Sequence, residues 1–160
     1  MSIDARLPER SRPVQDQLTA AGVETTIRVL PDSARTAAEA AAAIGCDVAA
    51  IANSLVFVAD GEPVLVMTSG GHRVDLAVLT RSMGAEEVTM APARVVRSAT
   101  GQAIGGVAPV GHPAPLRTFI DEALQEHDEL WAAAGHPHTV MPLTFAQLRE
   151  LTDGSVIAVA

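Results

Sequence analysis

The chain contains no lysine and no tyrosine, and its eleven basic residues are all arginine. That absence excludes a lysine Schiff base, a lysine general base and the lysine of a phosphate-binding P-loop. Aromatic residues make up 2% of the chain, namely Trp131, Phe57, Phe119 and Phe145. So few rings argue against a platform on which nucleic-acid bases stack. A single cysteine, Cys46, excludes an internal disulfide and fits a reducing compartment. No apolar run approaches the roughly 20 residues that span a bilayer. The opening "MSIDARLPERSRPVQ" is charged and lacks the apolar segment of a secretory signal. A soluble cytoplasmic protein without a membrane partner is expected. Positive charge is also scarce, since 19 acidic residues give a net charge of −8. Indiscriminate binding to phosphate backbones is therefore disfavoured, and a nucleic-acid partner would need a local arginine patch.

Aliphatic residues take the place of the rings. Hydrophobic residues are 48% of 160, enough for a core of Ala, Val, Leu, Ile and Met in one domain over 1–160, with 1–24 as an N-terminal helical segment. "RPVQDQLTAAGV" reads as a first helix, "ETTIRVL" as a strand stopped by Pro31, and "SARTAAEAAAAIG" as a second helix with a capping pair at Thr36 and Glu39. Two Val- and Leu-rich runs around Asp60-Gly61 predict a hairpin. "RVDLAVLTRSMG" and "APARVVRSATG" read as helices separated by the strand "EEVTMAP". "LRTFID" reads as a strand, and "DEALQEHDELWAAAG" fits either strand or helix. "TVMPL", the helix "TFAQLRELTDG" and the strand "SVIAVA" complete a mixed α/β pattern.

Several stretches carry polar groups that chemistry could use. "IANSLVF" places Asn53 and Ser54 at the head of an apolar strand, either as its ordinary start or as the polar end of a pocket. "TGQAIGGVAPVG" has Gly101, Gly105, Gly106, Pro109 and Gly111 but matches neither a P-loop nor a dinucleotide fingerprint. Its glycines allow close backbone approach to a ligand, or simply tight turns. His136 and His138 flank Pro137 and fit a turn better than a metal site, because no further ligands accompany them. His112 closes the glycine loop and is the best-placed histidine to reach a pocket. A triad drawn from Ser54, His112 and Asp75 lacks a nucleophile elbow. Arg94 and Arg97 share one helix face and, with Arg73 and Arg81, form either a phosphate-reading patch or a solvated surface.

Taken in order, "RTAAEAAAAIGC", "IANSLVFV", "PVLVMTSGGHRVDLAVL", "ATGQAIGGVAPVG" and "AGHPH" resemble the YbaK/ProX family, the aminoacyl-tRNA editing domain also inserted in bacterial prolyl-tRNA synthetases. The similarity runs from about Thr25 to Ala160. It implies a curved, barrel-like mixed β-sheet surrounded by helices, of the α+β kind within the α/β class. It also implies metal-free and cofactor-free hydrolysis of the ester between a small, wrong amino acid and a tRNA 3′ end. The implied partners are a mischarged aminoacyl-tRNA, bound by its acceptor end, and an aminoacyl-tRNA synthetase. By the same resemblance Asn53, Gly105 and Gly106 stand at the reacting end of a pocket between the loop Gly105–Pro109 and the strand. Ser54, Leu55, Met67, Ser69, Gly101, Val107, Pro109, Gly111 and His112 surround the aminoacyl group, and Arg35, Arg73, Arg94 and Arg97 face the tRNA.

The chain departs from the family at position 53, where relatives commonly carry lysine. Asparagine keeps two N–H donors and a carbonyl acceptor without charge. Two outcomes follow. Either positioning and backbone donors sustain hydrolysis of an already activated ester, or chemistry is lost and the pocket only binds an aminoacyl group, an amino acid or a protein.

Overall fold

The computed structural model describes residues 8–31, 36–71 and 73–160. Among these it contains the helices α1 (Arg12–Ala20), α2 (Ala37–Ile44), α3 (Leu76–Met83), α4 (Ala93–Thr100) and α5 (Phe145–Thr152). The strands are β1 (Arg28–Val29), β2 (Ile51–Ala59), β3 (Glu62–Ser69), β4 (Val88–Met90), β5 (Thr118–Asp121), β6 (Leu130–Ala133), β7 (Thr139–Leu143) and β8 (Ser155–Ile157).

Local chemistry accounts for most boundaries. Asp60 and Gly61 have φ of 49° and 86°, the pair of left-handed residues that a tight hairpin turn requires, and they join β2 to β3. The Thr36 hydroxyl accepts the Glu39 N–H at 3.1 Å to start α2, and Asp75 caps α3 by accepting from Ala77 and Val78. Thr144 and Gln147 form a reciprocal capping box on α5. Two expectations change in extent. The strand expected over "ETTIRVL" pairs only at Arg28–Val29, and the ambiguous "DEALQEHDELWAAAG" divides into a short 3-10 helix at Glu122–Glu126 followed by β6.

The strands form one mixed sheet in the order β1-β7-β6-β2-β3-β5-β8, with β4 also pairing β2. It is open, with β1 and β8 at its ends, rather than closed into a barrel. The pairs β1·β7, β6·β7, β2·β3 and β2·β4 are antiparallel, and β2·β6, β3·β5 and β5·β8 are parallel.

Side-chain alternation sends Leu65 and Met67 to one face of β3 and Val64 and Val66 to the other. The first face packs with Val14, Leu18, Val96 and Leu148 from α1, α4 and α5. The second meets Leu79 and Met83 of α3, and farther along it Ile51 and Trp131 pack with Ala41 of α2. Helices thus cover both faces and leave β2 and β3 buried at the centre.

Candidate active site

β2 is fully paired with β3 along one edge, from Ala52↔Ser69 to Ala59↔Glu62. Its other edge is shared by two strands that do not meet. β6 pairs only Ile51 and Ala52, and β4 pairs only Phe57 to Ala59. Between them the edge at residues 53–56 has no strand neighbour, and a cleft of about 240 Å³ opens there. Asn53, Ser54, Leu55 and Val56 form its floor, the first turn of α2 and Trp131 one side, and Val96, Ile104, Gly105 and Val107 the other. The break in the sheet makes the cleft.

Asn53 is half-buried on the floor, and among the described residues its carboxamide has no hydrogen-bond partner. A polar group so placed points to a ligand or solvent rather than to the fold. The Ser54 hydroxyl, on the opposite face of the strand, contacts the Met67 sulfur at 3.1 Å. Exposed Met90 and Ile104 flank the mouth. The Arg28 guanidinium lies 5.3 Å from the centroid of the Trp131 ring and so puts a cation behind the wall.

The glycine loop is held by Gln102, which the sequence pattern did not single out, and by contact with the "GHPH" turn. Gln102 is 2% exposed; its Oε1 accepts the Ala108 N–H at 2.7 Å and its Nε2 donates to Val110 O at 3.3 Å. One buried side chain thereby closes the loop across six to eight residues. Gly106 lies against the "GHPH" turn, where a Cβ would stand 2.6 Å from both the His136 carbonyl carbon and the Pro137 nitrogen. Its N–H donates to Ala103 O, and its carbonyl accepts from the Gly135 N–H at 2.9 Å. Gly105 is exposed at the cleft with φ of 89°, and its N–H makes no hydrogen bond among the described residues. Thr139 anchors the turn from below, its hydroxyl donating to His136 O at 2.8 Å.

The remaining expected residues scatter. Met67 is fully buried beneath Ser54, off the cleft wall. The Ser69 hydroxyl donates to Ala49 O, and its N–H donates to buried Asp121. Gly101 ends α4, and the Gly111 N–H donates to Gln17. Pro109 and His112 line a second cavity of about 270 Å³ with Pro113, Thr118 and Leu151. There His112 Nε2 donates to Ala108 O at 2.8 Å, and burial holds the imidazole below its ordinary 6.5. Arg94 and Arg97 are exposed on α4, and Arg73 is exposed between β3 and α3. Arg35 and His72 lie outside the described residues. Among the described residues, no three metal-binding side chains converge.

Comparison with known proteins follows the same lines. A family profile for the aminoacyl-tRNA editing domain matches residues 31–151. The chain is 28% identical over 134 residues to the uncharacterized protein YwhH of Bacillus subtilis, covering 83% of this chain and 85% of that one. It is 31% identical over 152 residues to the proline–tRNA ligase of Bacillus licheniformis, and covers only 26% of that ligase's length. A crystal structure described as a candidate trans-editing enzyme for prolyl tRNA synthetase superposes with a TM-score of 0.91 at 41% identity, over 96% of this chain and 98% of that one.

Proposed function

The chain belongs to the aminoacyl-tRNA editing domain family, and from that premise we propose that it is a trans-editing deacylase. It hydrolyses the ester joining a small, wrongly attached amino acid to the 3′ end of a tRNA, and residues 1–160 act as one editing domain in the cytoplasm. The observation that carries this reading is the Asn53 carboxamide, unpartnered and turned to a cleft that also receives Gly105.

Water attacks the ester carbonyl carbon, the bond to the ribose oxygen breaks, and that oxygen leaves with a proton as a hydroxyl. Asn53 orients the attacking water or the neighbouring ribose hydroxyl through its amide donors and acceptor. The Gly105 N–H polarises the carbonyl oxygen, as a preorganised donor worth roughly 3 kcal/mol, or about a hundredfold in rate. Gly106 acts as a positioning residue, because its own N–H is already bonded to Ala103 O. An aminoacyl ester is activated enough that orientation and one or two such donors suffice without a metal or cofactor. The 240 Å³ cleft suits a small acyl group.

Met90 and Ile104 provide apolar flanks for the terminal nucleoside, while Arg94, Arg97, Arg73 and Arg35 offer charge to the acceptor-stem phosphates. An aminoacyl-tRNA synthetase that produces the mischarged tRNA is the natural second partner. No described helix is long and apolar enough to cross a membrane.

A panel of tRNAs mischarged with small and medium amino acids tests the proposal. At least one is deacylated, and Asn53→Ala slows that reaction at least tenfold. If the whole panel stays intact at high enzyme concentration, the cleft binds without catalysis.

A further inference from the structure

The interrupted edge of β2 presents main-chain groups, and their direction follows from the hydrogen bonds around it. Ile51 O accepts the Gly70 N–H at 2.8 Å, so Ile51 and the odd-numbered residues after it turn both N–H and C=O toward β3. Even-numbered residues turn theirs to the other edge, and the Ala91 N–H accordingly donates to Val56 O at 3.1 Å. Ala52 faces β6 across the last pair of that ladder, Ala52↔Ala132. Ser54 is the next residue facing outward, and neither strand reaches it. Its N–H and C=O therefore open side by side into the cleft.

We propose that Ser54 reads the aminoacyl group as one rung of an antiparallel ladder. The substrate's α-ammonium donates to Ser54 O, and its ester carbonyl accepts from Ser54 N–H. This assignment rests on the deacylase reading. An α-aminoacyl group carries a donor and an acceptor on either side of one carbon, as an extended residue does, and so it complements a single outward-facing residue. Antiparallel pairing sets the ester carbonyl toward the Asn53 end of Ser54. It also sends the amino-acid side chain to the face that Ser54 shares with Val56, where Val96 and Val107 close the cleft. The main chain thus requires an α-amine, while the two valines limit the side chain.

Two measurements on the unmodified protein test this. In amide exchange, Ser54 N–H exchanges faster than its β3-paired neighbours Asn53 and Leu55, and becomes protected when 3′-alanylamino-3′-deoxyadenosine binds. In calorimetry, the propionylamino counterpart, which lacks only the α-amine, binds at least tenfold more weakly. Equal binding of the two analogues, or a Ser54 amide already protected in the free protein, overturns the pairing while leaving deacylation intact. Binding with the expected discrimination but no cleavage of mischarged tRNA supports the pairing and refutes the deacylase reading. Failure of both analogues to bind overturns the pairing, and the tRNA panel then decides hydrolysis by itself.

Discussion

Gly106→Ala probes how the glycine loop is held. The new Cβ would lie 2.6 Å from the His136 carbonyl carbon and from the Pro137 nitrogen, and 2.8 Å from His136 Cα. All three are backbone atoms, so no rotamer change relieves the contact. The loop and the turn must separate by roughly 0.8 Å before the contact reaches 3.4 Å. The Gly135 N–H to Gly106 carbonyl bond, 2.9 Å long, resists that separation. Overpacking of this kind costs about 1–3 kcal/mol, and at this chain length each kcal/mol lowers the unfolding midpoint by about 2–4 °C. A fall of roughly 2–12 °C in thermal unfolding follows.

Activity suffers more than stability, because Gly105 moves with its neighbour and a displacement near 1 Å costs about a hundredfold in rate. Gly105→Ala is the control. Nothing lies within 4 Å of its Cβ, so its cost comes only from the left-handed backbone at φ 89° and amounts to about 1 kcal/mol. A Gly106→Ala variant with wild-type unfolding and wild-type deacylation would refute the packing of this loop on the His136–Pro137 turn.

Other perturbations separate structural from chemical roles. Gln102→Leu leaves the Ala108 N–H and Val110 O without their buried partner, costing about 1–3 kcal/mol for each group left unpaired. Chemical denaturation should register that loss, and an unchanged midpoint would count against the staple. His112 is held neutral by burial, with its pKa below the ordinary 6.5. The unfolded chain thus takes up the proton first as pH falls, so this stabilisation is complete above about pH 6.5 and declines below it. Thermal melts at pH 7.5 and 5.5 should show a smaller pH-dependent drop for His112→Gln than for the parent protein; equal drops would remove His112 from the account.

Within a few residues of each position, the sequence determined a good deal about this protein. Asp60-Gly61 specified the hairpin because only left-handed residues close so tight a turn. Thr36, with Glu39, marked the start of α2 because its side chain satisfies a free N–H group of the next turn. Asn53 and Ser54 stood out at the head of an apolar strand, and both border the cleft.

Tertiary structure alone decided that a cleft exists there. The gap depends on where β6 and β4 each stop along β2, more than thirty residues away on either count, and no local preference sets those ends. Folding back of the chain hid the roles of Gln102, whose partners lie six and eight residues on in the loop, and of Gly106, which meets the turn at His136–Pro137. It also hid the fates of Met67, which a covering helical layer turned into core, and of His112, which the loop carried to a different cavity. Propensity and capping act between neighbours in the chain, whereas edges, cavities and close backbone approaches arise from which elements pack side by side.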